Sequence, residues 1–306
     1  MSADLVRTIA DAVLYEGYLL WPYRRSALKN QQRFTFGGIY PPAWEDRSSL
    51  QAQVLLEGGG EIEVVVRCLH VVHRQVLRRG RPVDEHEQDG ERWLTWDEAV
   101  ERELHPGPID VAAGVQVEEI PGARIRRSWR ELRGEVAVSR DAVADGLERI
   151  TVRVANTSPW SSGDRGDALR ESLCSTHAVM RARGGAWVSA TDPPEPVRAS
   201  AATCAQDGWW PVLVGEEGDR RTVLASPIIL SDHPAIAPES PGNLFDSGEI
   251  DKMLVLNILA MTEDERQDMR DADPRAREIL DRTEALSEED IMRLHGAVRE
   301  FGLARR

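Results

Sequence analysis

The side chains that could bind a metal ion lie in two short stretches of the chain. Cys68, His70 and His73 fall within EIEVVVRCLHVVHRQV, and Cys174 and His177 fall within LCSTHAVM. Thiolate and imidazole groups at this spacing are the ligand types of zinc, nickel and iron sites. Both stretches are rich in β-branched and apolar residues, which predicts strands, and strand residues three apart point to opposite faces.

On strands of this kind, Cys68 and His70 share one face, whereas His73 points away from them. Cys174 and His177 should likewise be separated. We therefore expect these thiols and imidazoles to be buried and satisfied locally, with no metal site assigned. A metallochaperone that delivers nickel or iron through Cys68, His70, Cys174 or His177 is the alternative interpretation.

A second group of residues could perform acid–base chemistry. Asp232 and His233 follow the apolar run from Thr222 to Leu230. The turn before that run supplies further carboxylates, at Glu216, Glu217 and Asp219. Loops at strand ends carry function on β scaffolds, and a histidine near carboxylates can act as a general acid or base. This pattern predicts, as an alternative to a binding function, a hydrolase-like enzyme with a site at the rim of the fold near Asp232 and His233.

A basic, aromatic-rich stretch, here called the basic island, runs from Trp21 to Trp44 and contains no acidic residue. Arginine binds carboxylates through two hydrogen bonds, and aromatic side chains anchor protein interfaces. The residues predicted to bind a partner protein are Trp21, Tyr23, Arg24, Arg25, Lys29, Arg33, Phe34 and Tyr40. The alternative is that the arginines of the island pair with carboxylates of the same chain.

Charge and composition exclude several classes of function. The 306 residues include 52 acidic and 38 basic side chains, which gives a net charge of −14 and argues against nucleic acid as a partner. No apolar run approaches the roughly 20 residues that a membrane-spanning helix needs, and Met1 to Asp11 lacks the layout of a signal peptide. Three widely spaced cysteines fit reduced thiols. We expect a cytoplasmic protein without a transmembrane segment or a cofactor.

Local patterns predict the main elements. An amphipathic helix should cover residues 3–20, because its apolar residues recur at helical spacing. Strands at residues 50–56 and 62–76 flank three glycines and suggest a hairpin, and Trp93, Trp96 and Val100 suggest a short helix. Antiparallel pairs are expected between residues 132–138 and 147–155, and between residues 209–214 and 222–230.

The carboxyl-terminal residues carry helix-start signals. Capping-box spacing occurs at Thr262 with Glu265 and at Ser287 with Asp290, Asp246 with Glu249 forms a similar start, and Pro274 suits a first helical position. We therefore predict an α+β fold, with an antiparallel β-sandwich core, an N-terminal helix and a C-terminal cluster of short helices. Its regions are 1–110 (N-terminal helix and β-hairpin), 111–246 (β-sandwich) and 247–306 (helical tail docked on the core).

Four stretches of the chain resemble an uncharacterised bacterial, mainly actinobacterial, protein family encoded beside nickel-iron uptake hydrogenases. They are LYEGYLLWPYRRSALKNQQRFTFGGIYPP, STHAVMRARGGAWVS, WPVLVGEEGDRRTVLASPIILSDHPAIAPESPGNLFD and DPRAREILDRTEALS. The resemblance implies a non-enzymatic accessory protein that binds a subunit or maturation factor of the hydrogenase, in its assembly, maturation or attachment. The family has no assigned active residues that could be transferred to this sequence.

Overall fold

Alternating β-branched and polar residues form antiparallel strands over most of the chain between residues 49 and 226. The computed structural model describes residues 2–15, 36–234, 258, 261–272 and 274–285. The chain divides into two compact units. One contains residues 1–18 and 34–234, and the other contains residues 19–33 and 235–306.

The first unit contains the strands of the described chain. They are β1 (Ser49–Glu57), β2 (Glu61–Arg78), β3 (Arg81–Val83), β4 (Glu85–Gln88), β5 (Glu91–Leu94), β6 (Trp96–Leu104), β7 (Gly107–Val111), β8 (Gly114–Ile120), β9 (Ala123–Trp129), β10 (Leu132–Ala144), β11 (Leu147–Asn156), β12 (Cys174–Arg183), β13 (Ala186–Trp187), β14 (Trp210–Leu213) and β15 (Thr222–Ser226).

Two larger sheets share one core. The first has the strand order β13-β1-β11-β10-β7, and the second has the order β14-β15-β12-β2-β9-β8, with β3 and β6 also paired to β2. Buried side chains from both sheets, such as Val54, Val152, Val66 and Val223, belong to a single apolar cluster. This sheet-on-sheet packing, with every strand pair antiparallel, confirms the predicted β-sandwich class.

The predicted hairpin of β1 with β2 is wrong. β1 pairs with β11 and β13 in the first sheet, whereas β2 pairs with β12, β6 and β9 in the second. The glycines between them carry the chain from one sheet to the other. At Gly60, φ is +97° and an added Cβ would lie 2.5 Å from the carbonyl oxygen of Arg183, so a side chain cannot be accommodated there.

The predicted helix at Trp93, Trp96 and Val100 is also wrong, because these residues lie on β5 and β6. β6 pairs with β2 over nine consecutive residues. Three residues at helical spacing are weak evidence, and the ladder with β2 outweighs it. The two antiparallel pairs predicted from short connections are confirmed, since β10 pairs with β11 and β14 pairs with β15.

Helix α1 (Ser2–Tyr15) is the predicted amphipathic helix. Its apolar face, including Val6, Ile9 and Val13, packs with Val179 of β12 and Leu224 of β15 on the outer face of the second sheet. Two short helices, α2 (Arg165–Leu169) and α3 (Arg198–Ala201), follow later in this unit.

In the second unit, α4 (Glu263–Ala272) and α5 (Pro274–Glu284) start where the capping signals place them. The backbone N–H of Thr262 donates to Glu265 Oε2 at 2.9 Å, and the N–H of Glu265 donates to Thr262 Oγ1 at 3.3 Å, which completes the capping box. Arg270 joins the two helices through Glu284 at 2.7 Å. The other predicted helix starts, at residues 246–249 and 287–290, lie outside the described residues.

Candidate functional site

Most of the predicted partner-binding residues of the basic island lie outside the described residues. Tyr40 is described and is only 5% exposed, so its ring belongs to the core and offers no surface to a partner. It stacks on Trp44 with ring centroids 6.4 Å apart, and burial is the main cause that raises the pKa of its hydroxyl to about 12. Phe36, at the start of the described segment, is exposed.

Four of the five cysteines and histidines considered as metal ligands are buried, whereas His73 is only half-buried, contrary to expectation. Cys68, His70, Cys174 and His177 have no exposed surface, as expected. Burial raises the pKa of the Cys174 thiol to about 12 and that of Cys68 higher still, so both thiols stay protonated. Burial also lowers the pKa of His70 to about 4 and that of His177 to about 3, with nearby arginines acting in the same direction. These groups are neutral near pH 7.

The expectation that Cys174 and His177 point to opposite faces is wrong. A bulge lies between them, so Cys174 aligns with Leu69 of β2 and His177 aligns with Arg67, two residues away. Positions two apart on a strand share a face. The bulge follows from a second pairing, because Ser175 and Thr176 donate backbone hydrogen bonds to the 36–37 segment. Across the described residues, no group of three or more potential ligands is placed to hold a metal ion.

At the rim, Asp232 is held in place by hydrogen bonds. Its Oδ1 accepts from the backbone N–H of Leu213 at 2.8 Å, and its Oδ2 accepts from the hydroxyls of Ser189 and Thr191. His233 has a φ of +53° and donates its backbone N–H to the Leu213 carbonyl at 2.7 Å. A carboxylate with three donors fixes the segment after β15, which is a structural role.

The carboxylates of the β14–β15 turn do not take part in the hydrogen bonds of Asp232. Asp219 forms a 2.7 Å ion pair with Arg221, and this contact is the main reason that the pKa of Asp219 lies below its ordinary value. Of the predicted acid–base set, Asp232 is therefore a structural carboxylate, Glu216 and Glu217 are exposed, and Asp219 lies near His233, whose charge also lowers the pKa of Asp219.

An apolar groove of about 180 Å³ lies beside Ser189 and Thr191. Val188, Val212 and Leu230 form part of its wall. Trp210 and Ile229 also line it and are 40% and 74% exposed, which is unusual for side chains of this size. An exposed tryptophan beside an apolar groove is the type of feature that anchors protein interfaces. We call this feature the rim groove.

A cluster of polar and charged side chains is built around His73. Its Nδ1 lies 2.7 Å from Asp97 Oδ1, and Arg170 donates to both oxygens of Asp97 at 3.1–3.2 Å. Burial alone would raise the pKa of Asp97, but the contacts with His73 and Arg170 bring it below its ordinary value. Arg170 also reaches Asp167, which pairs with Arg130 at 2.7 Å.

Strand register explains how this cluster forms. β12 pairs with β2 up to Leu69, and β9 pairs with β2 from His73 onward. Both lie on the edge of β2 that is opposite β6, so β12 and β9 follow each other along that edge. His73 is thus directly opposite Asp97 on β6 and Ser128 on β9. Directly opposed residues share a face, with Cβ atoms roughly 5 Å apart.

Asp97, His73 and Ser128 therefore form one row across three strands, with the residue types of a nucleophile, a base and an orienting carboxylate. The His73–Asp97 contact is made, whereas no hydrogen bond joins Ser128 to His73 among the described contacts. Sequence reasoning considered His73 only as a metal ligand and missed Asp97, Ser128 and Arg170. Their relation depends on strand pairing, for which the local sequence carries no signal.

Comparison of the chain with models of known protein families and with curated proteins found no match in either case. Within the part of the chain that the structure describes, no helix has the length and apolar character needed to cross a membrane.

Proposed function

We propose that this protein is a non-enzymatic accessory protein that acts in the cytoplasm by binding a subunit or a maturation factor of a nickel-iron hydrogenase. The resemblance of its four sequence stretches to a family encoded beside such enzymes suggests the partner. The free state of its cysteines supports a reducing compartment. The observation that carries a binding function is the rim groove, where Trp210 and Ile229 are exposed beside an apolar wall.

The rim groove suits an apolar side chain of a partner protein. Its wall is formed by Val188, Val212 and Leu230, and hydroxyl groups at Ser189 and Thr191 lie at one side. Both hydroxyls already donate to Asp232, which fixes the polar side of the groove in advance. Binding to a preorganised site avoids the entropic cost of ordering it. Trp210 would then supply the aromatic anchor, as at other interface hot spots.

The test is co-purification of the tagged protein from its native host. Trp210→Ala combined with Ile229→Ser should remove the anchor and reduce recovery of hydrogenase components by about tenfold or more, the effect of losing one hot spot. Val100→Ala is the matched control, because Val100 is 42% exposed but lies on β6, outside the groove lining. Full recovery of the same partners by the double variant, or recovery of none by the wild type, would count against the proposal.

A hydrolase is the second candidate, and the row of Asp97, His73 and Ser128 is the observation that favours it. Asp232 does not support it, since its carboxylate is used in structural hydrogen bonds. In this alternative, Ser128 would attack the carbonyl carbon of an ester while His73 accepts its proton and Asp97 orients the ring. The ester C–O bond would then break as His73 gives the proton to the departing alcohol, and water would release the acyl group from Ser128. A screen of simple esters with the wild type and Ser128→Ala separates the candidates, because only the hydrolase predicts turnover that is lost in the variant.

A further inference from the structure

The last strand of the second sheet is an open edge. β8 pairs with β9 on one side and is terminal in the strand order. Among the described backbone hydrogen bonds outside the ladders, none involves β8. Its seven-residue ladder with β9 runs without a register shift, and GVQVEEI contains no proline. Edge strands are commonly blocked by a bulge, a proline or charged side chains. β8 has neither of the first two, and its charged residues, Glu118 and Glu119, are paired with arginines of β9.

The side chains of β8 are exposed on both faces, which makes its two valines conspicuous. Val115 is 55% exposed and Val117 is 54% exposed. They share a face with each other and with Ser128 and Arg126 of β9, to which they are directly opposed. Neighbouring valines on an open edge provide both the free backbone groups and the apolar surface that adding another strand requires.

We propose that β8 is an interface between two copies of this chain, which pair through their β8 strands as one continuous antiparallel sheet centred on Gln116. A two-fold axis perpendicular to the sheet pairs residues of the same face. With the axis at Gln116, Val115 of each copy faces Val117 of the other, and Glu118 faces Gly114. With the axis at Val117, each Val115 would instead face Glu119, so the first register buries more apolar surface.

The charges of the hairpin permit this pairing. β8 contributes Glu118 and Glu119, whereas β9 contributes Arg124, Arg126 and Arg127, so three positive and two negative side chains leave the hairpin at +1. Arg127 holds Glu118 and Arg124 holds Glu119, each at 2.6 Å. The local charges therefore do not repel, although each whole chain carries −14. Pairing of two such chains should strengthen as salt screens the long-range repulsion.

The self-complementary valines favour a second copy over an unrelated strand. A partner strand of another protein would need apolar residues at alternate positions in the same register, whereas β8 already supplies them to itself. Pairing of this type is independent of the rim groove and of any hydrogenase partner, so failure of one proposal leaves the other intact.

Cysteine crosslinking tests both the pairing and its register, in the full chain with Cys204→Ser to remove the half-buried thiol. Gln116→Cys places two thiols opposite each other across the axis, with Cβ atoms roughly 5 Å apart, close to disulfide geometry. Val117→Cys is the matched control, because in this register its two copies are diagonal neighbours at roughly 7–8 Å. Mild oxidation should crosslink the first variant to a dimer and leave the second mostly monomeric.

Sedimentation of the wild type should show a monomer–dimer equilibrium that shifts toward the dimer as salt is added. Replacement of both valines by lysine should weaken the dimer by about tenfold or more while the far-ultraviolet circular dichroism stays unchanged, since the side chains are exposed in the monomer. A wild type that stays monomeric at every salt concentration overturns the proposal. Crosslinking at Val117 equal to or above that at Gln116 overturns it as well, as does a lysine variant that is folded and still dimeric.

Discussion

Asn156 is expected to be the most sensitive buried polar residue of the first unit. Its side chain is 1% exposed and joins three segments of the chain. The Nδ2 group donates to the carbonyl oxygens of Ile39 at 2.9 Å and Glu171 at 2.7 Å, and Oδ1 accepts from the backbone N–H of Ser158 at 2.8 Å. It therefore ties the end of β11 to the segments that lead into β12.

The hydrogen bonds of Asn156 determine how much its replacement should lower the free energy of unfolding. In Asn156→Ala, the Ile39 carbonyl keeps the hydrogen bond that it accepts from the N–H of Leu173 at 3.1 Å. The Glu171 carbonyl and the Ser158 N–H each lose the partner that the side chain provided. A buried group left without a partner costs about 1–3 kcal/mol, so two groups predict a loss of about 2–6 kcal/mol in the free energy of unfolding.

Asn156→Asp keeps the shape but replaces the donor with a carboxylate oxygen that faces two carbonyl oxygens. This environment disfavours the charged form, so the pKa of the introduced carboxyl should be higher in the folded state than in the unfolded chain. For a carboxyl with a raised folded pKa, stability is retained below the unfolded pKa and is lost as the pH rises through the folded pKa. The deficit of this variant relative to wild type should therefore grow with pH.

Urea unfolding of the wild type and both variants at about pH 5 and about pH 8 provides the assay, since the ordinary pKa of an aspartate side chain lies below this range. We expect the alanine variant to show the same deficit at both pH values and the aspartate variant to show a larger deficit at the higher pH. An alanine variant within about 1 kcal/mol of wild type would refute the reasoning. A pH-independent aspartate variant would show that the site is open to water.

Three further outcomes are expected. Burial holds the pKa of His70 at about 4 and that of His177 at about 3, below the ordinary 6.5. As the pH falls, these histidines therefore take up protons in the unfolded chain before they do so in the folded protein. By about pH 5 this difference should lower the free energy of unfolding by about 2 kcal/mol per histidine. The urea midpoint should therefore decrease as the pH is lowered below 6.5. The double variant His70→Gln and His177→Gln should show a smaller decrease of the midpoint with pH, and an unchanged decrease would contradict this. In thiol labelling of the native protein, the half-buried Cys204 should react first, and the buried Cys68 and Cys174 should react only on unfolding. Rapid labelling of all three cysteines would contradict the burial of Cys68 and Cys174. If the basic island binds a partner, charge reversal at Arg24 and Arg25, which lie outside the described residues, should weaken that binding with little change in melting temperature, because charges at an exposed site contribute within about 1 kcal/mol. A loss of about 3–5 kcal/mol with full partner retention would instead assign these arginines to buried ion pairs.

Much of the fold was predictable because its signals are local. Alternation over residues 132–155 identifies β10 and β11, and the short connection between them leaves little choice except a hairpin. The capping box at Thr262 and the proline at Pro274 likewise locate the starts of two helices, each from residues within one helical turn of that start. In each of these cases the interacting residues are close in sequence, so pattern and contact coincide.

The candidate site could not be predicted in the same way. His73 and Asp97 are 24 residues apart, and no local pattern marks them as neighbours. Ser128 lies in the same row because β9 pairs with β2 along the same edge as β12, beyond the residues that pair with β12. The same limitation explains the error at β1 and β2, whose glycine-rich connection suits a hairpin and a crossing between sheets equally well.

The sequence by itself determined the strand-rich class, the amphipathic face of α1, the burial of Cys68 and Cys174 and the starts of α4 and α5. These features depend on hydrophobic periodicity and on hydrogen bonds within a few residues. Only the tertiary structure decided which strands pair, where the bulge before His177 falls, and that β8 remains an open edge. Strand partners are selected by the burial of whole faces and by backbone hydrogen bonds between distant segments, and any strand with a suitable face can satisfy those requirements.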